Sequence, residues 1–360
     1  MKNFYAINLQ LFALTSNGVN ATVASGSMGA LNASSGAYNA PNTDLSAEMK
    51  TYYDMTLIDE AQAKLVHDQF GQKRPIPKGS GKTIEFRKFV PLEKATTPIV
   101  EGVTPTGKSL KVTAVNATVE QYGDYIVQSD VLELTSLDNT IIEATKLLGN
   151  QAGLTLDTIT RDILQAGTNV SWCPKIAADG TETEVSSRKN LDATCQLTVD
   201  MVQRAVTKLR AQNAPTIDGD YVAIIHPYVA YDLMRDKEWI EAHKYATPEN
   251  IYAGEIGKIA GCRFVQTTEA KIYKDDTCPT GLAVFGTLFL GSGAYGVTEI
   301  TGGGLQTIVK QKGSAGTADP LDQRSSVGWK AIKTAERLVE NYMVRVESCS
   351  KRYSATAVAN

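Results

Sequence analysis

The stretch from Lys78 to Gly167 constrains this chain more than any other. It reads as a long two-stranded excursion, Lys78 to about Leu134, running directly into one helix over Thr140–Ala166. Ile141, Ile142, Leu148, Ala152, Leu156, Ile159 and Ile163 recur mostly three or four residues apart, the period of an amphipathic helix. Thr140 and Glu143 make a T-x-x-E capping box, and Gly167 is a stop, because glycine accepts the left-handed conformation at a helix end. At 1.5 Å per residue such a helix spans about 40 Å, more than a small compact domain needs. Gly149 and Gly153 inside it each cost about 1 kcal/mol against alanine, which predicts a close approach by another segment.

The excursion alternates as strands do. Thr83–Val90 reads as one strand and Leu110–Glu120 as its returning partner, with Pro91, Pro98, Gly102, Pro105 and Gly107 in the wide tip between them. A two-stranded ribbon is marginal alone and must lean on something else, most simply another copy of the same chain. Lys73, Arg74, Lys78, Lys82, Arg87, Lys88, Lys94, Lys108 and Lys111 outnumber Glu85, Glu93 and Glu101 along it. A lysine-studded edge discourages wrong strand pairing, so this charge does not require a nucleic-acid partner.

The 360 residues leave room for two or three domains' worth of core, and 42% hydrophobic with 21% charged residues is an ordinary globular balance. The formal net charge of -3 predicts no bulk attraction to a polyanion. Cys173, Cys195, Cys262, Cys278 and Cys349 are scattered without a C-x-x-C, which speaks against a zinc knuckle and for reduced thiols in a cytoplasmic setting. Met1–Ala13 lacks the apolar run of a signal peptide, and no stretch has the length of a membrane span.

In chain order, Thr15–Asp44 is Ser, Gly, Ala, Asn and Thr with almost no charge, the composition of a flexible arm. Ala47–Phe70 reads as a helix capped by Ser46, with His67 in its last turn. Ser171–Asn190 is a polar loop with a hairpin around Asp179-Gly180. Thr198 caps a helix reaching Gln212, Tyr221–His226 is a buried strand, and Pro227 opens a helix to Asp236. Lys237–Lys258 reads as a loop region, followed by strands at Cys262–Thr267 and Gly281–Leu290. In the last part Ser325–Lys333 and Tyr342–Glu347 read as strands flanking a short helix at Thr334–Glu340. The order describes an α+β chain whose tail returns to the long helix.

Patterns that resemble catalytic motifs fail on context. Gly79-Ser80-Gly81-Lys82-Thr83 lacks the first glycine of a phosphate loop and precedes a strand, and Gly291-Ser292-Gly293-Ala294-Tyr295-Gly296 runs into β-prone Val297–Thr301. His226 could act as a base, but there is no nucleophile elbow to partner it, so a buried, hydrogen-bonded histidine is the expectation. No acidic cluster argues for a metal, and no cofactor is expected.

The order of parts, together with Asn8–Ala13, Phe86–Phe89, Glu101–Pro105, Gly123-Asp124-Tyr125 and Ile225-His226-Pro227 ahead of Asp232–Asp236, resembles the major capsid proteins of tailed bacteriophages with the Hong Kong 97 fold. Within them it is most similar to the coliphage N4-like branch. The resemblance implies an N-terminal arm over 1–48, a helix within 49–77, an extended β loop over 78–120, and a peripheral domain with its spine helix over 121–170. An axial domain follows over 171–321, and 322–360 returns to the peripheral domain.

It implies a structural subunit, not an enzyme, that self-assembles as hexamers and pentamers into an icosahedral or prolate shell around double-stranded DNA. Contacts would run through Arg87, Lys88, Glu93, Lys94, Glu101 and Lys108 of the extended loop and through Arg235, Asp236 and Trp239 of the axial domain. Implied partners are a separate scaffolding protein, a portal protein, a decoration protein and DNA held weakly and non-specifically, with no membrane. Assembly would take place in the cytoplasm of the host bacterium, and the protein would reside in the virion capsid. Alternatives are an encapsulin-like nanocompartment shell and, further off, a hydrolase using His226.

Overall fold

The long helix forms where its periodicity places it, over Thr140–Gln165. The computed structural model describes residues 55–61, 65–89, 92–98, 101–102, 104, 107–136, 140–177, 179–243, 257–314 and 319–360. Helix α1 at 55–61 is followed by β1 (Gln72–Lys73), β2 (Thr83–Phe89), β3 (Val112–Thr118), β4 (Glu120–Ser129), α2 (Asp130–Thr135) and the long helix α3. Next come β5 (Val170–Trp172), β6 (Lys175–Ile176), β7 (Glu182–Thr183), α4 (Val199–Ala211), β8 (Tyr221–Ile225), α5 (Pro227–Met234) and α6 (Lys237–His243). The remainder is β9 (Lys258–Ile259), β10 (Cys262–Gln266), β11 (Ile272–Tyr273), β12 (Val284–Leu290), β13 (Tyr295–Glu299), β14 (Gln306–Lys310), β15 (Arg324–Arg337) and β16 (Met343–Ser348).

The chain divides into two compact units, and α3 and β15 each contribute to both. The first unit takes α1, most of β4, α2, the first half of α3, β14 and the first half of β15. There β14 pairs antiparallel with Ser326–Lys330 of β15, and Gly149 of α3 lies against α1. A Cβ at Gly149 would stand 2.8 Å from the Leu57 carbonyl oxygen, which is the close approach its glycine predicts. Thr140 opens α3 but is not a capping-box residue. Its Oγ1 donates to Gln128 Oε1 at 3.1 Å and its carbonyl accepts from Gln128 Nε2 at 3.0 Å, while Glu143 pairs with Lys146. Gln128 is only 3% exposed, and a buried amide has to be paired, so the long-range partner displaces the local one.

The second unit is built on a seven-stranded sheet in the order β5-β16-β12-β8-β10-β9, with β11 pairing the start of β12. Every residue of β8 and β12 is buried, as expected of strands covered on both faces; β8 is an unbroken apolar run, and β12 carries Thr287 as its one polar residue. Thr198 caps α4 by accepting from Met201 N, and Pro227 sits in the first turn of α5, both as expected. The β6–β7 hairpin encloses Asp179-Gly180.

Several expectations are corrected here. The helix through Phe70 ends earlier, because His67 is fully buried and its segment is held by a carboxylate instead of helical carbonyls. Asp157 Oδ1 accepts from Val66 N (2.8 Å) and His67 N (2.7 Å), and its Oδ2 accepts from His67 Nδ1 (2.7 Å). The short helix at Thr334–Glu340 is instead strand: β15 continues to Arg337 because Tyr295–Glu299 supplies a pairing edge. β4 and β14 were not foreseen as elements, and α6 stands where a loop was read. The tail meets the long helix, with Arg345 donating to the Gln165 carbonyl and Met343 packed in one cluster with Leu164, and it also enters the sheet. β16 lies inside the seven-stranded sheet, between β5 and β12, where an apolar Met343-Val344-x-Val346 strand finds two partners. The N-terminal arm and the Ser46 cap lie outside the described residues.

Candidate assembly surfaces

The extended hairpin is the β2–β3 pair, in register from Thr83↔Thr118 to Phe89↔Val112. Alternation sends Ile84 and Phe86, opposite Ala117 and Val115, to one face. At the base this face is buried: Phe86 is 4% exposed, its ring occupies the space beside Gly296 of β13, and the Arg74 guanidinium lies 6.0 Å from its centroid. The opposite face, which carries Glu85 and Arg87, is exposed along its length, and at its tip end Phe89 (58% exposed) and Val112 (48%) face each other across the ladder, with Leu92 and Leu110 also exposed beyond them. Apolar side chains directly opposed on a solvated ribbon leave hydrophobic surface that the subunit itself does not cover.

The charged loop residues surround this apolar end. Arg87 meets Glu85 at 3.2 Å on the exposed face, and Lys88 Nζ lies 5.6 Å from the Tyr342 ring. Lys108 bridges to Glu93 at 3.4 Å, joining the two sides of the excursion. Lys94 and Glu101 are exposed. These ion pairs are solvated and worth little to stability, so they shape the surface more than they hold it. The sequence reading named the charges and missed Phe89, Leu92, Leu110 and Val112. Their signal was present: four large apolar residues beside a proline-rich tip that has no room for a core.

The three residues expected in axial contacts are placed differently from one another. Arg235 is exposed, donates to the Tyr231 hydroxyl at 3.1 Å and stands over that ring. Asp236 is half-buried and accepts from Val199 N at 2.8 Å, supporting the start of α4. Trp239 is 5% exposed and packs edge-on against Phe264 at 5.7 Å, so its ring is used inside its own unit. In the first unit, Val131 and Leu134 of α2 and Leu147 of α3 are exposed apolar residues.

His226 caps α5, its Nδ1 accepting from Tyr228 N at 3.2 Å, with the Phe285 ring 5.3 Å away. Burial holds its pKa down to about 4, so the ring is neutral at pH 7 with its proton on Nε2. That geometry suits a structural cap, as expected of a buried, hydrogen-bonded histidine. No group of three His, Cys, Asp or Glu among the described residues could hold a metal ion, and no described helix is long and apolar enough to cross a membrane.

Comparison with known proteins agrees with this architecture. The family model described as phage capsid protein matches residues 111–337. No curated protein matches the chain. Among solved structures, the capsid of Ralstonia phage GP4 is 14% identical with a TM-score of 0.63, covering 80% of this chain and 89% of that one. The capsid of cyanophage P-SCSP1u is 14% identical with a TM-score of 0.60, over 79% and 88%. The capsid asymmetric unit of cyanophage Pam1 is 14% identical with a TM-score of 0.58, over 88% and 98%. At such identities the likeness is one of fold, and the fold is the mixed α+β Hong Kong 97-like capsid fold. The match over more than half its length shows that the chain belongs to the phage capsid protein family, as a structural subunit of a phage head shell.

Proposed function

We propose that this subunit closes the head of a tailed phage by laying its extended hairpin over a neighbouring copy, with Phe89, Leu92, Leu110 and Val112 as the apolar centre of the contact. Arg87, Lys88, Glu93, Lys94, Glu101 and Lys108 form its charged rim. The observation that carries this reading is the directly opposed, exposed Phe89–Val112 pair at the end of a ribbon that buries only its other face, at Phe86 and Ala117. Many such modest contacts, repeated around a closed shell, add to a strong assembly. In this reading the seven-stranded sheet, β16 included, belongs to the domain clustering around five-fold and six-fold axes, with Arg235 on its contact surface. The 121–170 stretch with α3 forms the peripheral domain.

The proposal extends to partners. Hexamers and pentamers assemble in the host bacterial cytoplasm on a separate scaffolding protein, with a portal protein and a decoration protein as further partners. Double-stranded DNA is enclosed with weak, non-specific contact, which the net charge of -3 favours. The role is structural, without catalysis, and local sequence favours the N4-like branch.

Phe89→Glu, expressed alone and with the candidate scaffold, tests the hairpin contact by negative-stain electron microscopy and analytical ultracentrifugation. The expected result is a folded subunit with unchanged circular dichroism that forms no closed shells. Shells of normal yield from this variant would refute the contact.

A further inference from the structure

Four of the five cysteines, far apart in sequence, converge in the seven-stranded unit. Cys173 follows β5, Cys349 follows β16, and these two strands pair in parallel with Trp172 beside Glu347. Cys195 joins them: the Cys349 N–H donates to the Cys195 carbonyl at 2.8 Å. All are buried in one apolar cluster, together with Cys278 and the more distant Cys262.

Cys195 and Cys278 sit in two copies of one local structure, Asp192-Ala193-Thr194-Cys195 and Asp275-Asp276-Thr277-Cys278. In each, the aspartate Oδ1 accepts from the threonine N–H (2.8 and 2.9 Å), the threonine hydroxyl (2.5 Å in both) and the cysteine Sγ (3.6 and 3.5 Å). A thiol that donates to a carboxylate in an apolar core stays protonated, and burial pushes Cys349 up to about 12. Such thiols are inert as metal ligands and slow to oxidise while the unit is closed. Slow is not forbidden: the Cys349 N–H···O=C Cys195 bond holds the two backbones in direct contact, and a disulfide joins residues whose Cα atoms lie about 4.4–6.8 Å apart.

We propose that Cys195 and Cys349 form a disulfide when the assembled protein meets an oxidising medium, locking the β7–α4 connection to the end of β16. The inference rests on the virion reading above for its setting: thiols stay reduced where the subunit folds and assembles, and the finished particle persists outside that compartment. The chemistry is thiol–disulfide exchange with a small-molecule disulfide such as oxidised glutathione. The Cys195 and Cys349 thiols lose two protons and two electrons to form the S–S bond, and the oxidant is reduced to two thiols.

The test uses full-length protein, as purified and as assembled shells, incubated with oxidised glutathione, then alkylated, digested without reductant and read by mass spectrometry. The expected product is a Cys195–Cys349 linked peptide, with titratable thiols after denaturation falling from five to three per chain. Oxidised protein should melt about 5 °C or more above the reduced form, because the bridge closes a long loop. Cys349→Ser should abolish both the linked peptide and the rise in melting temperature. If that variant does not fold, the wild-type comparison of oxidised with reduced protein decides alone. Linkage of Cys195 to Cys173 or Cys278, linkage only after unfolding in urea, or five thiols retained in native protein would each overturn the proposal. Unassembled subunits showing the same bridge would keep the disulfide and detach it from the shell reading.

Discussion

The β2–β3 hairpin and the seven-stranded sheet are both made of β-branched and aromatic residues, yet only the sheet completes itself. In the sheet, β12 pairs with β8, β11 and β16, and its seven residues are all buried. Among the described residues the hairpin strands pair with each other and no other strand, bury Phe86 and Ala117, and leave Phe89, Leu92, Leu110 and Val112 exposed. One region is stable because the chain folds back over both its faces. If the proposed contact is right, the other is finished by a second chain, so substitutions in the two regions should separate stability from assembly.

The largest effect is expected from Phe289→Ala, which empties a fully buried position near the end of β12 and should cost about 3–5 kcal/mol in urea unfolding of the subunit. Asp157→Ala comes next, at about 3 kcal/mol, because it leaves the buried His67 ring and two backbone N–H groups without their acceptor. Gly149→Ala should destabilise by about 1–3 kcal/mol even though alanine is the better helix former, since the new Cβ meets the Leu57 carbonyl oxygen. A neutral or stabilising result would mean that α1 moves aside.

His226 adds a pH dependence to the sheet-bearing unit. Its folded pKa of about 4 lies below the ordinary value of 6.5, so protonation favours the unfolded chain. The contribution is fully present above about pH 6.5 and is lost as pH falls toward 4. His226→Asn keeps an acceptor for the α5 cap while removing this titration, and should flatten that acid limb in thermal melts taken between the two values. The smallest effect on the subunit belongs to Phe89→Ser, within about 0.5 kcal/mol, because an exposed side chain has little folded contact to lose. The same substitution should abolish shells in electron micrographs. Equal loss of stability from Phe89→Ser and Phe289→Ala would dissolve the contrast between the two regions.

Sequence alone determined the elements whose signals are local. The 3.6-residue stripe of α3, the Thr198 cap, Pro227 in the first turn of α5, the unbroken apolar run of β8, the largely apolar run of β12 and the alternation of β2 and β3 all act over a few residues, and each element formed within a few residues of its expected span. Tertiary structure decided what depended on partners distant in the chain. Thr140 gave up its cap for Gln128, His67 left a helix for Asp157, Thr334–Arg337 became strand because β13 lay alongside, and β16 took an interior place in the sheet. The candidate contact divides in the same way. Its charges were legible because charge is a property of single residues, whereas the exposure of Phe89 and Val112 was not. Exposure depends on what packs against a residue, and only the folded chain reveals that these two keep about half their surface open among the described residues.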